Sequence, residues 1–88
     1  MSPWYVYIVE CKDGTLYSGI TTDVTRRIAE HNDSPKGARY TRARRPVTLV
    51  YKRKCASRSD ASIKEYALKQ LPRADKQKLI KKKKRASV

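Results

Sequence analysis

Five polar side chains in this 88-residue chain have the chemistry to act together on a phosphate ester: Tyr7, Tyr17, Arg27, His31 and Glu65. Phosphodiester hydrolysis needs a deprotonated water, stabilisation of charge on the pentavalent phosphorus, and help for the departing oxygen. An arginine can hold a phosphate through two parallel hydrogen bonds, which a lysine cannot. One glutamate, together with waters and phosphate oxygens, can complete the shell of a Mg²⁺ ion. The set therefore predicts phosphodiester hydrolysis.

The two tyrosines are the candidates for activating the water, and the sequence does not decide between them. A tyrosine has a reference pKa of about 10 and is a base near neutral pH only where positive charge lowers that pKa. Arg27 and a metal ion would supply this charge. Each of the five residues also has an ordinary structural interpretation, as a sheet aromatic, a surface cation, a helix-end residue or half of an ion pair.

Other reaction classes lack their characteristic residues. No serine or cysteine stands in a convincing pattern with a base and an orienting acid for acyl transfer, and there is no glycine-rich phosphate loop. The single histidine and the two cysteines lack the spacing of zinc ligands. Cys11 and Cys55 are therefore expected to be reduced thiols.

The chain is short and strongly basic. Its 88 residues suffice for one small domain, and its net charge is +14. Residues 1–70 carry 14 Lys/Arg against 7 Asp/Glu and residues 71–88 carry 8 against 1, so each part contributes +7. This charge predicts a polyanionic partner, nucleic acid first and an anionic membrane surface second. Without a membrane-length apolar run or a signal-peptide pattern, we expect a cytoplasmic protein, with nucleoid association left open.

Both candidate tyrosines lie on a predicted β-hairpin. Residues 5–9 are apolar throughout, as in a strand buried on both faces, and a second, shorter strand follows the turn at 12–14. A two-residue loop would place Tyr7 and Tyr17 on opposite faces of the sheet. A three-residue loop, with its glycine in the left-handed conformation, pairs Tyr17 with Val9 and places both tyrosines on one face. We predict the three-residue form.

Helical periodicity places two further candidates. Residues 21–23 offer N-caps for a helix that runs to about Asn32. On its helical wheel Arg27 and His31 lie one turn apart beside the apolar stripe, while Arg26 points toward water.

The stretch 32–46 is predicted to be a long loop, and a third strand follows over 47–54. Loops of this length in a compact domain are usually functional or disordered, so we expect phosphate binding here, with a merely solvated loop as the alternative. The predicted nucleic-acid-binding residues of the loop are Arg39, Tyr40, Arg42, Arg44 and Arg45.

The second helix is predicted from a cap at Ser57 or Ser59 to about Leu71, where Pro72 interrupts it. Its apolar arc consists of Ile63, Ala67, Leu68 and Leu71. Glu65 lies at the edge of that arc, where an unpaired carboxylate is costly. An arginine or a metal ion should therefore compensate its charge, with an internal ion pair as the structural alternative.

A third, short helix is predicted over 73–80. The five cations at 81–85 should repel one another and stay mobile. Lys81, Lys82, Lys83 and Lys84 are expected to add non-specific phosphate affinity at low salt. The predicted organisation is thus one domain over 1–80 and a basic tail over 81–88.

These motifs resemble the GIY-YIG nuclease family, and especially its small stand-alone bacterial members of the YhbQ/YazA type. Tyr5-Val6-Tyr7 stands in the place of the GIY motif, with Tyr5 replacing its glycine, and Tyr17-Ser18-Gly19 stands in the place of YIG ten residues later. The family's essential arginine, ten residues after the second tyrosine, corresponds to Arg27. His31 and Glu65 correspond to a histidine of several branches and to the metal-binding glutamate.

The resemblance implies an α+β fold, with a small three-stranded antiparallel sheet flanked by helices in the order β-β-α-β-α-α. It implies a metal-dependent endonuclease that cleaves DNA, with a role in repair or recombination: Glu65 holds Mg²⁺ or Mn²⁺, Arg27 stabilises the phosphorane, one tyrosine activates or orients the water, and His31 assists proton transfer. We expect a monomer that does not bind membranes, with a protein partner supplying specificity left open. The alternative is a non-catalytic, basic nucleic-acid-binding module of the same fold.

Overall fold

The computed structural model describes residues 3–33 and 39–86. Three antiparallel strands, β1 (Trp4–Glu10), β2 (Leu16–Thr21) and β3 (Thr48–Cys55), form one sheet in the order β2-β1-β3. The helices are α1 (Val24–Asp33), α2 (Arg39–Arg42), α3 (Arg58–Gln70) and α4 (Arg73–Ala86). The predicted α+β class and the three-stranded antiparallel sheet are confirmed.

The central strand β1 is buried on both faces, as its apolar run predicts. Its residues from Val6 to Val9 are at most 1% exposed. Val6 and Ile8 pack in the cluster that α3 and α4 cover, and Tyr7 and Val9 pack on the opposite face with Ile28 of α1. The sheet therefore has one helical layer on each side.

The two cysteines are free and buried, as the reduced-thiol interpretation expects. Cys55 belongs to the cluster under α3 and α4, and Cys11 belongs to the cluster on the α1 side. The sheet separates them.

The turn between β1 and β2 has the three-residue form. Gly14 has φ 85°, the Cys11 amide donates to the Thr15 carbonyl at 2.8 Å, and the Gly14 amide donates to the Cys11 carbonyl at 2.9 Å. A left-handed glycine at this position suits a three-residue hairpin. The resulting register pairs Val9 with Tyr17 and places both candidate tyrosines on the α1 face. This prediction is confirmed.

Helix α1 begins after Asp23, whose carboxylate accepts a hydrogen bond from the Arg26 amide at 3.0 Å. The wheel argument for its two arginines is confirmed, since the side chain of Arg27 is 25% exposed and that of Arg26 is 59% exposed. Val24 and His31 are buried on the same helix.

Helix α3 is capped by Ser57, whose hydroxyl accepts from the Asp60 amide at 3.1 Å, while Asp60 accepts from the Ala56 amide at 2.8 Å. The arrangement resembles a capping box, with the Asp60 side chain reaching the amide that precedes the N-cap. The predicted apolar arc of this helix is partly wrong, because Ile63 is 69% exposed. The buried residues are Ala61 and Leu68.

The row from Ala61 to Leu68 on α3 is thus the inward one, and Glu65 stands in the middle of it. The helix packs against β1 and β2. Glu65 therefore lies within the row that faces the sheet, whereas the predicted arc placed it at the edge of the buried surface.

Two further boundaries differ from prediction. The stretch 32–46, expected to be a loop throughout, contains the short helix α2. Helix α4 was expected to end near residue 80, but it continues to Ala86. The division into a domain over 1–80 and a basic tail over 81–88 stays a prediction. No helix among the described residues has the length and apolar character to cross a bilayer.

Candidate active site

Tyr7 points from the middle of the sheet toward the strand β2. Its register partner is Gly19, and the phenol ring lies directly over that glycine. A Cβ atom on Gly19 would collide with the Tyr7 hydroxyl oxygen and lie 2.6 Å from Cζ of the same ring. Because Gly19 has no side chain, the Tyr7 ring can pass over β2 at this point and reach α1.

His31 of α1 receives the Tyr7 side chain at this point. The Tyr7 hydroxyl and His31 Nε2 are 2.8 Å apart, and His31 Nδ1 is 2.9 Å from the Thr41 hydroxyl of α2. Tyr17 packs edge-on against the same imidazole, with ring centroids 5.6 Å apart. His31 and Thr41 have no exposed surface, and Tyr7 is 1% exposed. Both ring nitrogens of the histidine are thus engaged inside the protein.

Arg27 lies one helical turn before His31 and faces the same tyrosine. Its Nη1 donates to Glu30 Oε1 at 3.0 Å, and its guanidinium also hydrogen-bonds the Tyr7 side chain. Arg26 reaches the same glutamate only weakly, at 4.0 Å. The carboxylate of Glu30 therefore holds Arg27 on the site side of the helix.

Burial controls the protonation of this cluster. Burial raises the pKa of Tyr7 to about 12, and although the hydrogen bond and charge of Arg27 act in the opposite direction, they are outweighed. Arg27 alone therefore does not bring the Tyr7 pKa toward neutrality, and the expected joint effect of Arg27 and a metal ion stays a prediction. Burial, aided by the charge of Arg27, lowers the pKa of His31 to about 4. At neutral pH the site therefore contains a phenol and a neutral imidazole.

Glu65 lies on α3, which packs against β1 and β2, and its carboxylate is close enough to Tyr7 to influence its protonation. Its charge is among the minor influences that raise the pKa of Tyr7, after the dominant effect of burial. Its side chain is 25% exposed, and Lys69 Nζ lies 3.7 Å from Oε2. The ion pair with a lysine replaces the expected arginine. The distance between the two charged groups is long and both side chains are partly exposed. The pair therefore leaves the Glu65 carboxylate oxygens accessible to a cation.

A metal ion here would have one protein ligand. Within the described residues, no group of three or more His, Cys, Asp or Glu side chains could hold a metal ion. A lone carboxylate at a partly exposed position suits Mg²⁺, which keeps several waters and is commonly bound through one or two carboxylates and substrate phosphates. The residues present fit such an ion, with Glu65 as its holder.

Some of the predicted nucleic-acid-binding residues are paired within the protein, and others are exposed. Arg44 Nε is 3.1 Å from Asp13 Oδ2 in the hairpin turn, and Arg45 donates to the backbone carbonyls of Glu30 and His31. Arg45 thus binds the carbonyl end of α1, where a cation is favourable. Arg42 is exposed on α2, and Lys81 is exposed on α4. The side chains of Arg39, Tyr40 and Lys82, Lys83 and Lys84 lie outside the described part of the structure. Phosphate binding by these residues stays a prediction.

The comparisons with known proteins agree with this geometry. A family model described as the GIY-YIG catalytic domain matches residues 3–85. The chain belongs to the GIY-YIG family. This GIY-YIG domain is 64% identical over 78 residues to a UPF0213 protein of Desulfotalea psychrophila, covering 89% of this chain and 71% of that protein. It is 55% identical over 76 residues to a UPF0213 protein of Halobacterium salinarum, covering 86% of this chain and 97% of that one.

Solved structures show the same fold. The solution NMR structure of a UPF0213 protein from Bacillus halodurans is 49% identical, with a TM-score of 0.57, over 90% of this chain and 83% of that chain. The solution NMR structure of a protein from E. faecalis is 40% identical, with a TM-score of 0.63, over 93% and 86%. None of these names states an activity. They support the family, the fold and the similarity to small stand-alone GIY-YIG proteins.

Three residues of the site escaped the sequence argument. Gly19 was noted as a motif letter, but its contact with Tyr7 was not foreseen. Glu30 gives a signal that could have been used, because it stands three residues after Arg27 on one helix. Thr41 gives no such signal, since its contact with His31 joins two helices across the stretch between them.

Proposed function

We propose that this GIY-YIG protein is a metal-dependent endonuclease that hydrolyses phosphodiester bonds in DNA, with a role in repair or recombination. The observation that supports the proposal most is the meeting of two tyrosines, an arginine and a histidine on one face of the sheet, with a half-buried carboxylate nearby. Each residue alone has an ordinary structural interpretation. Their convergence suits charge stabilisation and water activation at a phosphate.

The roles follow from contacts and burial. Glu30 and Tyr7 hold the Arg27 guanidinium in a fixed direction on the site side of α1, and a guanidinium held in this way suits bidentate contact with a phosphate. Tyr17 is half-buried whereas Tyr7 is 1% exposed, so Tyr17 is the better placed to contact an attacking water. Tyr7 then serves to position Arg27 and His31.

Glu65 would hold Mg²⁺ or Mn²⁺. Such an ion would polarise a phosphoryl oxygen and lower the pKa of a bound water molecule. The charge of the protein is consistent with DNA as the substrate, since the net +14 attracts polyanions.

The test is cleavage of end-labelled duplex, single-stranded and branched DNA with Mg²⁺, Mn²⁺ or EDTA. Arg27→Ala is compared with Arg26→Ala, a neighbouring arginine on the same helix that faces water. Glu65→Gln is compared with Asp75→Asn, an exposed acidic residue of α4. We expect metal-dependent cleavage that is lost in the first member of each pair and kept in the second. Equal activity in all four variants would contradict the assigned roles.

A second candidate function is nucleic-acid binding without cleavage. The observation that favours it is the exposed run Lys52, Arg53 and Lys54 on β3, an edge strand of the sheet. Such a run can bind phosphates without a catalytic group. A pure binder gains nothing from the half-buried Glu65, which repels phosphate. Tight DNA binding by the wild-type protein with no cleavage of any substrate or metal would favour this function.

A further inference from the structure

The Tyr7 hydroxyl has a proton that must be donated inside the protein. The residue is 1% exposed, and among the described residues the acceptor within hydrogen-bonding distance is His31 Nε2, at 2.8 Å. The other neighbour of this oxygen, the guanidinium of Arg27, is a donor only. A buried hydroxyl without an acceptor is costly. The Tyr7 proton is therefore donated to Nε2.

This donation favours one tautomer of His31, and the partner of the other ring nitrogen must fit the same tautomer. An Nε2 atom that accepts carries no hydrogen, so a neutral imidazole has its hydrogen on Nδ1. The ring is buried and its pKa is lowered to about 4 by burial, so it is neutral at physiological pH. The Nδ1–H group then needs an acceptor, and the Thr41 hydroxyl oxygen lies 2.9 Å away.

The opposite arrangement is disfavoured by the same contacts. If Thr41 donated to Nδ1, the hydrogen of His31 would be on Nε2 and directed at the Tyr7 oxygen. That oxygen would then face donors from both His31 and Arg27, and its own proton would have no acceptor among the described residues. The hydrogen bond from Arg27 would compete with this proton.

The backbone around Thr41 is anchored on both sides. The Arg44 amide donates to the Thr41 carbonyl at 2.9 Å, and the Arg44 carbonyl accepts from the Lys12 amide of the hairpin turn at 2.9 Å. Next in the chain, Arg45 donates to the His31 carbonyl. The threonine is thus held against the helix that carries the histidine.

We propose that Thr41 is a positioning residue of this site, whose hydroxyl holds His31 in the Nδ1–H tautomer so that Tyr7 donates to His31 and accepts from Arg27. Because Thr41 has no exposed surface, it is not placed to contact a substrate or a metal ion directly. It acts through His31 and Tyr7 on the direction of the Arg27 guanidinium. The effect on cleavage rests on the proposed function, whereas the tautomer does not.

The tautomer can be measured directly, because the chain contains one histidine. Two-bond ¹H–¹⁵N correlation spectra of the uniformly ¹⁵N-labelled protein distinguish Nδ1–H from Nε2–H imidazole at pH 7. We expect the Nδ1–H tautomer in the wild type and in Thr41→Ser, which keeps the hydroxyl. Thr41→Val has the same shape without an acceptor, so an Nδ1–H group would be buried without its partner, and the population should shift toward Nε2–H. Thr48→Val, at an exposed position on β3, is the matched control.

The cleavage assay gives the second readout. A small misplacement of a catalytic group can cost about 100-fold in rate, and we expect a reduction of about 10-fold in Thr41→Val because its effect on Arg27 is indirect. Thr41→Ser and Thr48→Val should keep most of the wild-type rate. A DNA-binding affinity unchanged in Thr41→Val would show that the loss is in the reaction.

Two results would overturn the inference. One is a predominant Nε2–H tautomer in the wild type, and the other is an Nδ1–H tautomer that persists in Thr41→Val. If Thr41→Val does not fold, Thr41→Ala carries the same comparison. Absence of cleavage by the wild type would count against the proposed function alone, since the tautomer measurement needs no activity.

Discussion

Lowering the pH from 7 to 5 should destabilise this protein by about 2 kcal/mol through His31 alone. The imidazole has a reference pKa of 6.5, and in the folded protein burial and the charges of Arg27 and Arg45 lower that pKa to about 4, against the opposing charge of Glu30. Between pH 4 and pH 6.5, His31 binds a proton in the unfolded chain but not in the folded chain. Stability therefore falls as the pH falls through this window.

The size of the effect follows from the two pKa values. Each pKa unit is worth about 1.4 kcal/mol, so the full penalty below pH 4 is about 3 kcal/mol, and about 2 kcal/mol of it has accumulated at pH 5. For a domain whose total stability is of the order of 5–15 kcal/mol, this loss is readily detected.

The assay is urea denaturation followed by the fluorescence of Trp4, the single tryptophan of the chain, at pH 7, 6 and 5. His31→Gln is the control, because it keeps a polar side chain that does not titrate. The difference in unfolding free energy between wild type and variant should shrink by about 2 kcal/mol from pH 7 to pH 5. Parallel pH dependences of the two proteins, or an NMR titration of His31 with a midpoint above 6, would refute the reasoning.

Three further predictions concern the neighbours of the site and the basic end of the chain. Gly19→Ala should lower the unfolding free energy by about 1–3 kcal/mol, since its Cβ would collide with the Tyr7 ring, and shifted Tyr7 ring resonances would locate the effect. Ser18→Ala, one position away, should instead raise stability by up to about 1 kcal/mol in the same denaturation assay, because the buried Ser18 hydroxyl has no hydrogen-bond partner among the described residues. Deleting 81–88 leaves the buried Ile80 in place, so folding and metal-dependent cleavage should persist, while the salt dependence of duplex DNA affinity should weaken by up to about 4.5 units of slope, about 0.9 for each of the five cations removed. Inactivity of that folded truncation would place the tail in the active site.

The features that could be predicted from sequence are those fixed by neighbouring residues. The turn before Thr15 has its left-handed glycine at the one position a three-residue hairpin needs, so the register of Tyr17 followed from local geometry. The choice of Arg27 over Arg26 followed from helical periodicity in the same way. Both depend on interactions within a few residues.

The features that could not be predicted depend on contacts between distant segments. Ile63 was expected to be buried because it is apolar, but the inward direction of α3 is determined by which row packs on the sheet, and that row is Ala61 to Leu68. Helix α2 is one turn long, too short for periodicity to reveal. Thr41 becomes part of the site only when that turn meets α1.

The two halves of the family motif are therefore one physical unit. Tyr7 can reach His31 only by crossing the strand β2, and it crosses where Gly19 presents no side chain. The strand pairing that places Gly19 opposite Tyr7 also places Tyr17 opposite Val9, so that Tyr17 meets the edge of the same imidazole. A shift of the hairpin by one residue would separate the tyrosine from its glycine and turn Tyr17 to the other face of the sheet. The left-handed turn at Gly14, far from the chemistry, is in this sense a determinant of the site.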